Sequence, residues 1–357
     1  VFVEHANPYI QQWNLNVQRE LPGDMVFEIA YLGSKGTRLI WGESGVVLNQ
    51  LPPEFQKLGT SLQDLVPNPF FGIITNPTST LSRSMVTRGQ LLRPFPQYTG
   101  VSAFRKPFGF STYHALTLRV DKRFANGISF LGSYTKSKLI DDVSTTVNFL
   151  GQASSQQNAY DRRAERAVST QDVAQRLVIS YVYELPIGRG KPFLNNFSSA
   201  NWLASGWQIN GISTFQSGIP LVIVSGQNNA GIFSPGQRLN NLTGRSARIT
   251  GGKTSDRIAQ WFDTSVFTFA PAFTFGNAPR TLPDARNPGT RLFDISIFKN
   301  NYLREGKFNA QFRAEFFNAF NTTQFNGPGT NRPSGDFGVI SGASGPRQIQ
   351  LALKLMF

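Results

Sequence analysis

The sequence predicts an all-β fold, an antiparallel up-and-down sheet of about nine or ten strands joined alternately by tight turns and long loops. Three observations predict it. Apolar and polar residues alternate with period two in segment after segment along the 357 residues. Composition suits strands and turns: 31 Phe, 33 Gly, 21 Pro and no cysteine. Short and long connections follow one another in strict order.

Taken along the chain, Trp13, Leu15 and Val17 alternate with Asn14, Asn16 and Gln18. Leu21-Pro22-Gly23-Asp24 interrupts the run, after which Phe27, Ile29 and Tyr31 share a face. Leu116, Leu118 and Val120 alternate with Thr117, Arg119 and Asp121. Asn126-Gly127, a strong hairpin signal between alternating runs, leads to Ile128, Phe130 and Tyr134 opposite Ser129, Ser133 and Thr135. Leu177, Ile179, Tyr181 and Tyr183 alternate with Arg176, Ser180 and Glu184, and Trp207, Ile209 and Phe215 oppose Gln208, Asn210 and Thr214. Phe293, Ile295 and Ile297 stand against Asp294 and Ser296, and Phe308, Ala310, Phe312, Ala314 and Phe316 against Asn309, Gln311, Arg313 and Glu315. The last run sets Ile349, Leu351, Leu353, Leu355 and Phe357 against Gln348, Gln350 and Lys354. Most of these strands are near the ~9–11 residues that a tilted membrane strand needs.

Links after Leu21, Arg123 and Asn300 are short, and the one over residues 186–206 is moderate. Those after Gly33, Ser137, Ser217 and Asn318 are long. Short turns on one rim and long loops on the other are the arrangement of an outer-membrane barrel. The parity puts Pro22-Gly23 and Asn126-Gly127 on the periplasmic rim, with residues 51–65 and Asp141-Asp142 on the extracellular one. Leu116, Leu118, Val120, Phe293, Ile295, Ile297, Phe308 and Phe312 then face lipid, and Arg119, Asp121, Arg313 and Glu315 face the concave side. Trp13, Tyr31, Tyr113, Tyr134 and Trp207 lie near strand ends, as interfacial girdles do. Pro52 to Leu65 has helix-like spacing with Pro near its start, so a short helix over the pore mouth is predicted.

Charge and motifs exclude several functions. Lys plus Arg is 35 against 21 Asp plus Glu, a net charge of +14, but the charges are scattered, which suits a solvated surface and not nucleic-acid binding. No run is apolar and long enough for a transmembrane helix: residues 192–237 carry no charge but are broken by Asn, Gln, Gly and Ser. The first residues lack the basic start and apolar centre of a signal peptide. Without cysteine there is no disulfide frame, thiol nucleophile or zinc-thiolate site. The two histidines, His5 and His114, are far apart. Gly251-Gly252-Lys253-Thr254 fails as a phosphate loop because Ala247 stands where its first glycine belongs. Ser341-Gly342-Ala343-Ser344-Gly345 has the wrong spacing for a nucleophile elbow. Asp141-Asp142 reads as a solvated loop start with a cation contact as the alternative. No enzyme activity, cofactor or metal is expected.

Several segments resemble a known family. They are Asn7-Pro8-Tyr9-Ile10-Gln11-Gln12-Trp13-Asn14, Tyr31-Leu32-Gly33-Ser34-Lys35-Gly36-Thr37, Tyr113-His114-Ala115-Leu116 through Lys122-Arg123-Phe124, Ser133-Tyr134-Thr135-Lys136-Ser137-Lys138, the run from Tyr181 to Lys191, Phe312 to Asn321, and Leu353-Lys354-Leu355-Met356-Phe357. In wording and order they resemble TonB-dependent receptors related to the Oar-type proteins of acidobacterial genomes. The resemblance implies a regulatory-like module, a plug that contacts TonB and a barrel of about 22 strands. Residues 1–357 match only the C-terminal barrel portion, with plug and module absent, so a single domain forming part of the wall is expected. It also implies location in the bacterial outer membrane, a TonB energy-coupling complex reached through the missing plug, outer-membrane lipid, an extracellular solute met by the long loops, and the barrel-assembly machinery. In such proteins the final strand is the assembly signal, which here falls on Leu353, Leu355 and Phe357.

Two other classes fit the residues. A passive porin requires an even strand count, which a further hairpin within 219–224 or 258–275 would supply. A soluble all-β module binding glycans through exposed aromatics is the third.

Overall fold

The computed structural model describes residues 6–41, 46–103, 106–142, 156–188, 190–195, 201–228, 237–242, 244–303 and 308–357. Nine long strands form one antiparallel meander, each paired with its neighbours in the sequence. They are β1 (Tyr9–Leu21), β2 (Met25–Trp41), β3 (Lys106–Ala125), β4 (Ile128–Asp141), β5 (Gln175–Glu184), β6 (Trp207–Gln216), β7 (Thr290–Leu303), β8 (Phe308–Phe317) and β9 (Gln348–Met356). The short strand Ala167–Val168 pairs with the outer end of β4 as a tenth member. β1 and β9 are the two edges, and among the described residues they do not pair with each other.

Tight turns follow from residues that accept positive φ. Gly23 and Asp24 take φ of 84° and 58°, and Asn126 and Gly127 take 55° and 79°. The second pair has the mirror-image turn whose twist matches that of two flanking strands. β7 continues past the predicted break at Asn300 to Leu303, so the turn into β8 lies outside the described residues.

Strand length is the main departure from the predicted pattern. β5, β6 and β8 have 10 residues and β9 has 9, but β2 has 17 and β3 has 20. The outer halves of β2 and β3 carry Gly33, Ser34, Gly36, Pro107 and Gly109, which break the alternation. Backbone pairing continues there regardless, because ladder hydrogen bonds need no apolar side chain.

Register settles the faces, since residues directly opposite in an antiparallel pair share one. Leu118 lies opposite Tyr134, Tyr134 opposite Leu177, Leu177 opposite Phe215, Ile209 opposite Ile297, and Phe312 opposite Leu353. All eight apolar residues predicted to face lipid fall on this face, and Arg119, Asp121, Arg313 and Glu315 fall on the other. Two glycines on the apolar face are covered by aromatic rings from the adjacent strand. A Cβ on Gly33 would stand 2.2 Å from the Trp13 ring, and one on Gly211 would stand 2.5 Å from the Tyr181 hydroxyl. The missing side chains let each ring lie flat on the neighbouring backbone.

Acids keep to one face, whereas cations stand on both, with Arg119, Arg176, Arg313 and Lys354 on the polar face. Every acid of the nine strands (Glu20, Glu28, Asp121, Asp141, Glu184, Asp294 and Glu315) has the parity of the polar face. The charges along the regularly paired apolar face are all cations, namely Arg19, Lys35, Lys122, Lys136, Lys138, Arg291 and Lys299, placed toward strand ends.

The hydrophobic core is not under the sheet. Leu15 is 67% exposed and Leu353 is 68% exposed, whereas Leu221 and Phe262, in the link between β6 and β7, are fully buried. Among the described residues, Ala30 and Ala115 are the buried apolar side chains of the nine long strands. A soluble sandwich would cover this apolar stripe with a second sheet, so exposure of the stripe removes the soluble reading. The neighbourhood of 219–224 contributes a two-residue parallel bridge, Val224–Ser225 with Asn331–Arg332, and 258–275 contributes Phe267–Thr268 paired with Asn240–Asn241. Neither adds a hairpin to the main sheet.

Candidate functional site: a cap of long loops on the outer rim

Residues 42–105, 142–174, 217–289 and 318–347 link strands at one rim, opposite the Gly23 and Asn126-Gly127 turns. The described residues of these links fold together. Leu221, Ile223, Leu239, Phe262, Val266 and Phe267 form their main core. Phe337 of the last link meets Phe262 edge-on, with centroids 5.2 Å apart. Leu51 and Leu62 of the first link form a second cluster with Phe273 and Phe275 of the third. The predicted helix near residue 53 is a 3-10 segment, Pro53–Gln63, broken at Gly59 with φ of 56°. It buries Leu62 in that cluster, so it packs against another loop.

Polar side chains lock the links to one another. Arg238 pairs with Glu165 and Arg280 with Asp141, and Arg286 Nη2 lies 2.6 Å from Asp172 Oδ2. Each pair joins the 217–289 link to the end of β4 or to the 142–174 link. Burial pushes the Arg238 guanidinium below its ordinary pKa, and the Glu165 carboxylate acts against that shift. Gln50 accepts from the Ala159 amide at 2.7 Å, tying the first link to the second. Arg93 donates from Nε to the Asn49 carbonyl at 2.6 Å and from Nη1 to Gln90 Oε1 at 2.8 Å, closing the first link on itself. Hydrogen bonds to a charged group inside a desolvated cap are about twice as strong as neutral ones.

Where the cap meets β4 to β7 there is a cavity of about 1420 Å³. Tyr134, Leu177, Phe215 and Arg291, all of the apolar face, line it together with Arg248 and Arg257 of the 217–289 link. Arg257 stacks over Trp261 at 4.5 Å and donates to the Ile249 carbonyl at 2.6 Å. Burial lowers its pKa, and the nearby Arg248 charge adds to the shift. Asp284 is the one acid in the cavity lining.

Polar-face side chains of the strands are satisfied mostly by amides. Glu28 accepts from Asn16 at 2.7 Å and from Gln18 at 3.0 Å. Arg119 pairs with Asp121 at 2.9 Å, Glu184 with Lys191 at 3.3 Å, and Arg313 donates to Gln311 at 2.6 Å while stacking over Phe298.

A family model described as an outer membrane beta barrel domain matches residues 4–350. The chain belongs to that family. As an outer-membrane β-barrel domain it resides in the bacterial outer membrane, its apolar face meets lipid, and the capped rim is the extracellular one. The domain is similar to the outer membrane transporter YddB from Escherichia coli, with a TM-score of 0.44 and 8% identity over 98% of this chain and 32% of that one. It is also similar to FpvA of P. aeruginosa in a structure bound to heterologous pyoverdines (TM-score 0.37, 10% identity, 97% and 27% covered). A third is the ferric-catecholate import receptor Fiu from K12 E. coli (TM-score 0.28, 10% identity, 98% and 40% covered). The domain spans about a third of the length of YddB. No curated protein matches the chain.

The residues singled out in the sequence are placed as follows. Tyr31 Oη and His114 Nδ1 are 2.8 Å apart, and the His114 ring meets the Trp13 ring edge-on, so His114 belongs to an aromatic cluster on the lipid face. His5 lies outside the described residues. Asp141 and Asp142 do not form an open carboxylate pair: Asp141 is taken by Arg280, and Asp142 accepts from the Phe110 amide at 2.7 Å. Lys253 and Thr254 sit at the start of a six-residue helix, Thr254–Ala259, on the cap surface. Leu353 and Leu355 are on the lipid face of β9, and Phe357 is fully exposed beyond it. Of the arginines that line the cavity, Arg176 was marked by the alternation of β5, whereas Arg248, Arg257 and Arg291 were not among the residues singled out. Arg248 and Arg257 lie in a link with no periodicity to mark them, and Arg291 precedes Phe293, the first apolar residue from which β7 was read. The parity of Lys136 and Lys138, which continue the apolar run of Phe130 and Tyr134, was the available signal.

Proposed function

We propose that this chain is part of the barrel wall of an Oar-like, TonB-dependent outer-membrane receptor, with the cap as its surface for an extracellular solute. The observation that carries this reading is the cap. Four loops share apolar clusters and buried ion pairs, which is more structure than chain connection requires and suits selective contact with a ligand. The open sheet supports it too. Unpaired strand edges in lipid cost several kcal/mol for each backbone group left without a partner, so further strands complete the wall. In this reading the role is transport without enzyme chemistry. A plug outside residues 1–357 contacts the TonB complex, and the barrel-assembly machinery inserts the wall.

The alternative is a passive porin. The full-length protein in planar bilayers separates the two. A receptor stays closed until its plug is displaced, and it is captured by the periplasmic domain of TonB in a pull-down. Steady conductance of the full-length protein without TonB, together with no capture, would defeat the receptor reading.

A further inference from the structure

We propose that the cavity between the cap and the outer ends of β4 to β7 binds a soluble acidic oligosaccharide, a chain of sugar rings carrying anionic groups. The inference rests on the reading of the cap as a surface for an extracellular solute, and it names the class of that solute. Position is the first ground. The β5, β6 and β7 residues of the lining all lie at the outer strand ends: Gln175 to Leu177, Phe215 and Gln216, Thr290 and Arg291. The cap supplies the rest of the lining through residues 248–261 and 283–289 of the third link and 322–325 of the last. The cavity thus stands on the extracellular side, between wall and cap. Its volume of about 1420 Å³ exceeds the ~300–1000 Å³ that suits one small molecule, so an oligomer fits.

Charge is the second ground. Arg176, Arg248, Arg257, Arg286 and Arg291 line the cavity against Asp284 alone. Arg286 is held by Asp172, and Arg257 by the Ile249 carbonyl and the Trp261 ring. The guanidinium groups of Arg176, Arg248 and Arg291 make no ion pair or hydrogen bond with another described residue. Arg248 is close enough for its charge to act against that of Arg257, and an anion between them removes the repulsion. A guanidinium fork matches a carboxylate in geometry as well as charge. The three unpaired arginines come from β5, the third link and β7, so they suit anionic groups spaced along a chain better than one compact ion. The uncharged lining adds the sugar. The side chains of Gln216, Thr250, Thr254, Thr290 and Thr323 make no hydrogen bond with another described residue. Each hydroxyl offers one donor and two lone pairs, and the amide offers both kinds of group. A polyhydroxylated chain uses donors and acceptors together, whereas a simple anion uses donors only.

The test uses the full-length protein purified in neutral detergent, with affinity measured by isothermal titration calorimetry. Three probes are compared: tetragalacturonate, its methyl ester, which keeps the rings and loses the charge, and citrate as a compact competitor. Tetragalacturonate should bind about tenfold tighter than the ester. Arg248→Gln/Arg291→Gln, which breaks no side-chain contact of the described cap, should remove about tenfold of that affinity, and Arg248→Lys/Arg291→Lys should restore part of it. Thr250→Val/Thr290→Val should weaken tetragalacturonate severalfold and leave citrate unchanged. Lys57→Gln/Arg83→Gln removes the same charge from exposed positions of the first link and should change nothing. Equal affinity for acid and ester would overturn the proposal. So would unchanged affinity in the arginine pair, or an equal loss in the first-link pair. Full displacement by citrate at equal carboxylate concentration would show an anion site without sugar recognition and would overturn it too. Capture by TonB is measured on the same protein. Capture without tetragalacturonate binding would strike the solute class and leave the receptor reading standing, and binding without capture would do the reverse.

Discussion

Glu165 and Arg238 meet inside the cap with side-chain exposures of 2% and 5%. A charge so placed depends on its partner, since water cannot replace the lost contact. Glu165→Gln should destabilise the cap by about 3–5 kcal/mol, because it leaves Arg238 buried and unpaired. Replacing both residues with apolar ones of similar volume should recover most of the loss. Protease nicking of the loops in folded protein, measured across these variants, checks the order; equal nicking in single and double variants would refute it. Nothing in the sequence marks this pair. The partners are 73 positions apart in irregular segments, and only the folded loops bring them together. His114 shows the reverse case: its parity with Leu116 and Leu118 already placed it on the apolar face, where Tyr31 and Trp13 hold it.

Along a single strand, alternation makes a sharp expectation. Ile295 points to lipid and Ser296 to the polar face opposite Glu315. Ile295→Arg should cost ~2–4 kcal/mol of barrel stability if it lies near mid-depth, whereas Ser296→Arg gains an acid across the ladder and should be tolerated. The yield of heat-modifiable protein in outer-membrane fractions reports both, and equal yields would contradict the face assignment. β9 is an element with one open edge and an uninterrupted apolar parity through Leu353 and Leu355 to Phe357. An amphipathic strand with free backbone donors and acceptors is a template for strand addition, which is the basis for proposing it as the assembly signal. Removing Phe357 or making Phe357→Asp should leave export normal and lower the folded fraction; an unchanged folded fraction would reject the signal. Strands were readable at this scale because period two needs only adjacent residues. Their outer ends were not, since in β2 and β3 pairing outlasts the pattern.

At the scale of the molecule, the confinement of acids to one parity and the short-long order of links were both present in the sequence, and they give the orientation of the wall without any tertiary contact. The cap was not foreseeable as a folded body. Its clusters join Leu51 to Phe273 and Phe262 to Phe337 across intervening strands, and no local rule pairs them. One consequence follows from the place of the core. The cap hides its apolar residues from water by itself, but the wall hides its own only in hydrocarbon. The two parts thus answer to different solvents. Heating the full-length protein at rising detergent concentration should show two transitions. Protease nicking of the cap loops should keep its midpoint temperature, while the loss of β-sheet signal should move with the detergent. A single transition shared by both signals would mean that the cap has no stability apart from the wall. Two transitions would mean that the outward-facing half can change its sequence freely while the membrane-facing half continues to obey the bilayer.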